Sequence, residues 1–388
     1  MKGIKGKARV LLVGPLPPTK GGMTTFMLNL MRSHLADEFE FIGFTTSRPP
    51  KPNAVDNWGY RAIFSGGIKR AASGILVTLG HLLKFPAVVL ARRIEVIQIQ
   101  SPDYQAFWEA CIYALMARAL GVPTIMRIGG AFDAFVGQSG PAARWMVRQA
   151  LNLPQIVIAQ SALSQDYIVA AGRRGRIIIV PNWVQQPTQL PPFATPTEPP
   201  VFLFIAGTDA RRKGIEDVIG AATILAAEGS PARFQLVAMP QILQDRVAEL
   251  ALSNILAVEG FLEHEAIFER MRCATALLLP SYGEGFPNSL IEAMAVGTPA
   301  IVTPVGAIPE IVRDGGAITV PVADRRALAD AAHRIATDKE LRSRLSSEAV
   351  DIIVHNYTAH KALTVLEASY RSLIAARSQQ NETPRTDS

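Results

Sequence analysis

Short apolar runs alternate with helical segments along almost the whole chain, and this alternation constrains the fold more than any other feature. Runs such as 202–206 and 274–279 contain no charged residue and have the length of one strand. Strands that are buried on both faces have this composition, and strand–helix alternation places helices on both faces of a parallel sheet. Ligands of such sheets bind beyond the carboxyl ends of the strands. The sequence therefore predicts an α/β fold with its functional residues in the loops that follow the strands.

Chain length and a proline-rich segment divide this alternation into two domains. A chain of 388 residues favours two domains over one. Proline-rich sequence with little apolar content is typical of interdomain linkers. We predict a first Rossmann-like domain at 1–185, a linker at 186–200 and a second Rossmann-like domain at 201–356. An amphipathic helix is expected at 357–376, and the polar residues 377–388 are expected to form a flexible tail.

The charge of the chain is concentrated in its first half. Residues 1–185 carry 21 lysines and arginines against nine acidic residues, whereas residues 186–388 carry 18 against 24. A basic half indicates an anionic partner. Because no nucleic-acid-binding motif is present, we expect an anionic membrane surface and no nucleic acid. The apolar segment 75–90 is too short and interrupted to span a bilayer, so it either lies in the membrane interface or forms a buried or half-buried helix.

Cysteine content and the first residues of the chain bear on its location. Cys111 and Cys273 give neither a disulfide framework nor a metal-binding spacing. The basic first residues are not followed by a secretory signal. We therefore expect a cytoplasmic protein that associates peripherally with the inner face of the cell membrane.

A loop-to-helix segment carries two carboxylates. Residues 280–295 read PSYGEGFPNSLIEAMA and follow a buried strand. A helix is predicted from Asn288 or Ser289, because both residues are good helix caps. The start of a helix attracts an anion such as phosphate, and carboxylates accept hydrogen bonds from sugar hydroxyls. Two solvated glutamates are the alternative, but this does not explain why Glu292 lies in an otherwise apolar run while Glu284 lies in the loop.

A glycine pair follows the first strand. Gly21 and Gly22 precede a helix predicted at 24–35, with Thr24 or Thr25 as its cap. Glycine lets a backbone N–H group approach a phosphate closely, although glycine pairs also occur in ordinary turns.

Three segments together resemble the retaining glycosyltransferases of family 4, which have the GT-B fold. The first is 284–300, with two glutamates separated by seven residues and followed by AMAVGTPA; the others are 212–214 (RKG) and 305–312 (VGAIPEIV). The resemblance implies two Rossmann-like domains with parallel sheets facing a cleft. It also implies a nucleotide-sugar on the second domain and an acceptor on the first. The helix at 357–376 is then expected to cross back and pack on the first domain.

The resemblance implies a role for each matching residue. Glu284 corresponds to the glutamate near the donor sugar hydroxyls, and Glu292 to the glutamate that binds the ribose. Lys213, assisted by Arg212, corresponds to the cation on the diphosphate. The remaining donor-binding positions are Gly22, which approaches the phosphates from the opposite domain, Phe261, which lines the base, and the segment Gly285, Phe286, Pro287, Asn288 and Ser289, which faces sugar and phosphate oxygens.

The sequence departs from the family on the acceptor side. Many relatives carry a histidine directly after the strand that here spans 123–128. This chain has Ile-Gly-Gly at 128–130 instead. Asp133 or Arg127 is then left to orient the acceptor. We take Asp133, together with Glu284 and Lys213, as the candidate catalytic residues.

The expected activity follows from this resemblance. It implies a retaining hexosyltransferase that moves a sugar from a UDP-, GDP- or ADP-sugar to a lipid-linked or polysaccharide acceptor in cell-envelope or exopolysaccharide synthesis. The sequence has no Asp-x-Asp motif, so no metal and no cofactor are expected. Two alternatives stay open: a non-catalytic nucleotide-sugar-binding partner of a transferase, and a nucleotide-sugar epimerase of the same overall fold.

Overall fold

The computed structural model describes most of the 388-residue chain. The described ranges are 6–19, 21–47, 67–101, 104–130, 132–184, 198–207, 210–250, 252 and 254–382. Most of the predicted linker, residues 186–197, and the end of the predicted tail, 383–388, lie outside them. The described residues form two compact units, one of residues up to 182 together with those from 359 onward, and one of residues 183–358.

The first unit is built on a six-stranded parallel sheet with the strand order β2-β1-β3-β4-β5-β6. Its strands are β1 (Ala8–Gly14), β2 (Phe39–Thr45), β3 (Val96–Ser101), β4 (Thr124–Ile128), β5 (Ile156–Ala159) and β6 (Arg176–Ile179). Its helices are α1 (Gly22–Met31), α2 (Gly67–Ala91), α3 (Tyr104–Ala119), α4 (Phe132–Gln138), α5 (Pro141–Leu151), α6 (Ala162–Ala170) and α14 (Ala359–Glu382), with a 3-10 turn at His34–Asp37.

Both faces of this sheet are covered, as the uninterrupted apolar strands predict. Every residue of β3 and β4 is buried. Alternate strand residues pack against α2 to α6 in one apolar core. On the other face, the Tyr370 hydroxyl of α14 donates a hydrogen bond to Gln98 Oε1 at 2.5 Å. The Tyr370 ring also lies edge-on to Phe39, with ring centroids 5.3 Å apart.

The last helix extends further than its apolar pattern predicts. It begins at Ala359 and ends at Glu382, so the expectation of a flexible tail from residue 377 is wrong through residue 382. Arg377 explains the extension in part, because its Nη1 donates to the carbonyl oxygen of Ile94 at 2.7 Å. An apolar pattern does not register an anchor of this kind, because the contact is made by an arginine.

The apolar segment 75–90 lies within α2 and has two different faces. Phe85 and Val89 are buried in the core, whereas Leu83 and Leu90 are exposed. The helix is therefore half-buried, as one of the two interpretations of this segment predicts. No helix in the described part of the chain is long and apolar enough to cross a membrane.

The second unit contains another six-stranded parallel sheet, with the strand order β12-β11-β10-β7-β8-β9. Its strands are β7 (Val201–Ile205), β8 (Arg233–Val237), β9 (Leu256–Val258), β10 (Ala276–Leu279), β11 (Ala300–Val302) and β12 (Ala317–Thr319). Its helices are α7 (Ile215–Ala227), α8 (Gln241–Ala248), α9 (His264–Cys273), α10 (Asn288–Ala295), α11 (Ile308–Ile311), α12 (Arg325–Thr337) and α13 (Lys339–Asn356). Two apolar cores, one on each face, enclose this sheet.

The start of α1 differs from its prediction. The helix begins at Gly22 and ends at Met31, rather than running over 24–35. Thr24 and Thr25 lie inside the helix and do not cap it; the Thr25 hydroxyl donates to the Gly21 carbonyl oxygen at 3.2 Å. Gly21 occupies the N-cap position with φ 151°, a conformation that favours glycine, so the helix starts earlier than the threonines suggest.

Candidate functional site

The candidate site lies at the carboxyl edge of the second sheet. β7 and β10 are parallel neighbours, so the loops that follow them emerge side by side. Gly214 has φ 87°, and a Cβ atom there would lie 2.2 Å from the carbonyl oxygen of Pro280. The backbone N–H of Tyr282 also donates to the carbonyl oxygen of Arg212 at 2.8 Å. Only glycine at 214 permits this approach, which brings the RKG segment against the glutamate-bearing loop.

A third loop fixes the same backbone from the other side. Gly306 has φ 55°, and a Cβ atom there would lie 1.9 Å from the carbonyl oxygen of Glu284. The N–H of Ala307 donates to the carbonyl oxygen of Gly285 at 3.1 Å. The VGAIPEIV segment therefore holds the 284–285 backbone in place.

Glu284 is held by protein groups at both of its carboxylate oxygens. The Ser281 hydroxyl donates to Oε1 at 2.9 Å, and Arg212 Nη1 lies 3.4 Å from Oε2. Arg212 also donates to the carbonyl oxygen of Gly283. The Glu284 side chain is only 8% exposed. Its position and orientation are therefore set before any ligand is present.

Glu292 has the opposite character. It is the fifth residue of α10, its side chain is 14% exposed, and no described residue donates a hydrogen bond to it. Burial raises the pKa of its carboxyl to about 7, and the positive charge of Lys213 limits this increase. His264 Nε2 lies 4.0 Å from its Oε1. A buried carboxylate without hydrogen-bond donors is uncommon, and it is a candidate for binding a ligand.

Cationic and backbone groups complete this edge. Lys213 Nζ donates to the carbonyl oxygen of Ile205 at 3.1 Å, which places the ammonium group at the end of β7. The helix α10 starts at Asn288, with Pro287 in the capping position and no side-chain capping hydrogen bond. The predicted start of the helix at Asn288 or Ser289 is confirmed, but neither residue caps it, because Pro287 occupies the capping position. The positive end of α10 lies at the same edge as Lys213.

Two phenylalanines predicted for this site have different positions. Phe286 is buried, and its ring centroid lies 5.5 Å from that of Tyr357, so its side chain belongs to the core and only its backbone is available to a ligand. Phe261 is 55% exposed and lies in the loop after β9. This loop emerges from the same sheet edge, two strands from β7.

A hydrogen-bonded network beneath the glutamate loop was not predicted. The Tyr282 hydroxyl donates to Asp217 Oδ2 at 2.6 Å, and this contact raises the pKa of the phenol. Arg325 Nε lies 3.2 Å from the other oxygen of the buried Asp217. These residues are far apart in sequence, and nothing in their spacing indicates that they meet. Ser281 was detectable in principle, since it lies three residues before Glu284.

The residues predicted in the first unit are more scattered. Gly22, the first residue of α1, and Asp133, in the first turn of α4, are both exposed. Arg127 is fully buried, lies 4.0 Å above the ring of Phe26 and donates to Asn182 Oδ1 at 2.5 Å. Burial lowers the pKa of its guanidinium to about 9. Arg127 therefore cannot contact an acceptor, and the interpretation of this residue as an acceptor-orienting group is wrong.

The described residues contain no group of three or more histidine, cysteine, aspartate or glutamate side chains arranged to hold a metal ion.

Comparison with known proteins defines the class of this molecule. A family model described as "Glycosyl transferases group 1" matches residues 199–338, and one described as "Glycosyl transferase 4-like domain" matches residues 21–183. The first match covers all six strands of the second sheet, and the second covers β2 to β6 of the first sheet. The chain belongs to the group 1 glycosyltransferases, with the two Rossmann-like units of the GT-B fold.

Individual relatives agree with this class. The chain is 25% identical over 283 residues to alpha-D-kanosaminyltransferase of Streptomyces kanamyceticus, a match that covers 67% of this chain and 73% of that protein. Its fold is similar to that of sucrose-phosphate synthase from Thermosynechococcus elongatus, with a TM-score of 0.76, 19% identity, and 95% of this chain and 100% of that chain covered. It is also similar to Anabaena HepE in complex with UDP-glucose, with a TM-score of 0.68, 16% identity, and 94% and 99% covered.

Proposed function

We propose that the protein is a retaining hexosyltransferase that takes its sugar from a UDP-, GDP- or ADP-sugar. The acceptor is a lipid-linked saccharide or a polysaccharide of cell-envelope or exopolysaccharide synthesis. The observation that carries the proposal is the buried carboxylate of Glu292, which receives no hydrogen bond from the described residues and lies under the influence of Lys213. A nucleotide-sugar provides both hydroxyl donors for the carboxylate and an anionic diphosphate for the cation.

In this proposal, Glu292 accepts hydrogen bonds from the ribose hydroxyls. Two ribose hydroxyls can donate hydrogen bonds to this carboxylate, as Ser281 donates to the carboxylate of Glu284. Phe261, exposed in the loop after β9, lies against the base. The uncapped start of α10, at residues 285–289, faces the sugar and phosphate oxygens.

Lys213 and Arg212 stabilise the leaving group. The diphosphate gains negative charge as its bond to the sugar loosens, and a fixed cation stabilises that charge more than it stabilises the ground state. Arg212 is held by Glu284 and by the carbonyl oxygen of Gly283, so its guanidinium is already ordered before the reaction. We propose that these cations take the role that a divalent metal has in other transferases.

Glu284 positions the donor sugar. Its carboxylate is fixed by Ser281 and Arg212, so it offers hydroxyl groups a defined acceptor at little entropic cost. Asp133, which is exposed in the first turn of α4, is the proposed acceptor-orienting residue. We place the reaction in the cytoplasm, at the inner face of the cell membrane.

A donor screen tests the proposal. The purified protein is incubated with UDP-, GDP- and ADP-hexoses, lipid-linked saccharides and a chelator, and the products are examined by mass spectrometry and by NMR of the new glycosidic bond. We expect transfer from one class of donor, retention of the anomeric configuration, and activity that survives the chelator. The proposal is contradicted if every donor gives neither sugar transfer nor slow donor hydrolysis. A product with inverted anomeric configuration would contradict the proposed stereochemistry.

A further inference from the structure

One face of α2 presents leucines to solvent. Leu79, Leu83 and Leu90 are 48%, 79% and 64% exposed. Their spacing of four and seven residues places them on one stripe of the helix. The opposite stripe, with Phe85 and Val89, packs into the core of the first unit. The core therefore does not use the outer leucines, and a row of exposed leucines of this kind indicates an interaction surface.

The neighbouring helix continues this apolar surface. The rings of Phe85 on α2 and Tyr113 on α3 have centroids 5.0 Å apart, so the two helices lie side by side at this level. The outer face of α3 exposes Ile112 by 40% and Leu115 by 52%. The surface thus spans two helices rather than one.

Exposed basic residues border the apolar surface. They are Lys84 on α2, Arg92 and Arg93 directly after it, and Arg118 on α3. Over residues 77–93 the chain contains no acidic residue. Leucines beside lysines and arginines are the composition of helices that lie in the interface of an anionic bilayer.

A cleft adjoins the end of α2. Its volume is about 370 Å³, and its walls are mostly aliphatic, with two arginines and one glutamate; among its lining residues are Leu90, Arg93, Ile94, Glu95, Ile374 and Arg377. Glu95 Oε2 accepts a hydrogen bond from the backbone N–H of Arg9 at 3.0 Å. Leu90 belongs both to this cleft and to the exposed stripe. Arg377 is partly buried, its Nη1 donates to the carbonyl oxygen of Ile94, and burial lowers its pKa. A partly desolvated guanidinium beside aliphatic walls suits the phosphate of an amphiphile.

We propose that the outer face of α2 and α3 docks the protein on an anionic lipid bilayer, with the cleft at Leu90 receiving the phosphate of a lipid headgroup. A bilayer matches both the apolar and the basic part of the surface. Its acyl chains can surround the exposed leucines, and its phosphates can pair with the lysine and arginines that border them. The proposal deepens the proposed function by naming the membrane-binding surface, and it rests on that function for its purpose. Its test does not require sugar transfer.

Vesicle sedimentation tests this surface directly. The full chain is mixed with vesicles of phosphatidylcholine alone or of phosphatidylcholine and phosphatidylglycerol in equal parts, at low and high salt. We expect binding only to the anionic vesicles and weaker binding at high salt. Leu79→Glu with Leu83→Glu should weaken binding at least about tenfold. Lys84→Gln with Arg93→Gln should weaken it about 25-fold, or about fivefold for each charge.

A matched control and a second measurement separate the outcomes. The control exchanges two apolar residues exposed in the second unit, Ile242→Glu with Leu250→Glu, and should bind vesicles like the wild type. UDP, GDP and ADP binding by calorimetry should be the same in all variants, so loss of vesicle binding is distinguished from failure of the proposed function. The proposal is overturned if the wild type ignores anionic vesicles at low salt, or if the leucine variant binds them like the control. It is also overturned if the leucine variant turns a dimer into a monomer without changing vesicle binding.

Discussion

The carboxyl edges of the two sheets each carry a buried charge, and the surroundings of the two charges differ. In the first unit, Arg127 lies over the ring of Phe26 and donates to Asn182. In the second unit, Glu292 receives no hydrogen bond from the described residues. Desolvation is costly for both side chains, but among the described residues only the arginine has a hydrogen-bond partner, whereas the charge of Lys213 offsets part of the cost for Glu292. The comparison indicates that Arg127 serves the fold, and it is the reason why we propose that Glu292 binds a ligand.

The same contrast holds between the two glutamates of one motif. Glu284 is held by Ser281 and Arg212, whereas Glu292, eight residues later, receives no hydrogen bond from the part of the chain that the structure describes. A group that is already held orients a substrate, and a group without partners gains a partner when the substrate binds. The four predictions that follow test these contrasts, from the largest expected effect to the smallest.

The largest effect is expected at Lys213, which lies at the carboxyl edge of the second sheet. Lys213→Met should lower kcat for sugar transfer by about 10²–10³, since a preorganised charge on the leaving group is removed. Steady-state kinetics with the preferred donor provide the measurement. Lys339→Met, at an exposed lysine that starts α13, is the matched control and should keep wild-type kcat. A reduction of less than about threefold in Lys213→Met would contradict the proposed role.

A smaller effect is expected on nucleotide affinity at Glu292. Glu292→Gln should weaken nucleoside diphosphate binding about tenfold to a hundredfold at pH 8, because hydrogen bonds to a charged acceptor are lost. The pKa of about 7 means that wild-type Glu292 takes up a proton between pH 8 and pH 6. Wild-type affinity should therefore fall about tenfold over this range, while the variant shows no such change.

Calorimetric titrations at several pH values measure both quantities. Glu265→Gln, at an exposed glutamate of α9, is the control and should keep the wild-type pH profile. A Glu292→Gln variant with the affinity and pH dependence of the wild type would show that this carboxylate does not contact the nucleotide.

The exchange Glu292→Gln, which should weaken nucleotide binding, should at the same time increase the stability of the folded protein. The folded state raises the pKa of Glu292 from 4.5 to about 7, so it binds the proton more tightly than the unfolded state does. Wild-type stability therefore falls as pH rises from 4.5 to 7, and a neutral glutamine avoids this loss. Glu292→Gln should raise the free energy of unfolding by about 3 kcal/mol at pH 8 and by little at pH 4. Urea unfolding at both pH values measures the difference; a variant less stable than the wild type at pH 8 is the contrary result.

The smallest effect on donor binding is expected at Arg127. Arg127→Met should lower the free energy of unfolding by about 1–3 kcal/mol, since Asn182 loses a buried donor. Nucleotide affinity should stay at the wild-type value, because Arg127 acts within the first unit. Urea unfolding and calorimetry on the same preparation test both statements. Weakened nucleotide binding in a variant of normal stability would refute a purely structural role.

The sequence predicts the residues that meet at the carboxyl edge of the second sheet better than it predicts those of the first unit. Glu292 stands out because it interrupts an apolar run, and Lys213 follows from a recognisable segment after a strand. The contacts of Tyr282 with Asp217, and of Arg325 with the same carboxylate, join residues far apart in the chain and leave no local pattern. Arg127 was misread for a related reason. Strand alternation places it at the sheet edge but does not reveal that Phe26 and Asn182 enclose it.

Helix boundaries show the same limit. Capping propensity correctly predicts that α10 starts at Asn288 or Ser289, but it does not identify Pro287 as the capping residue. Threonines suggested a later start for α1, but Gly22 already begins the helix. In the segment before α10 the Gly306 turn packs against the backbone of Glu284, and a propensity scale does not include such contacts.

A crystal structure with the tightest-binding of UDP, GDP and ADP tests the central claim most directly. The account predicts the ribose hydroxyls within about 2.5–3.0 Å of the Glu292 carboxylate. It also predicts the diphosphate within about 4 Å of Lys213 Nζ, at the start of α10. A nucleotide whose ribose is turned away from Glu292, or one bound away from the carboxyl edge of the second sheet, would contradict it.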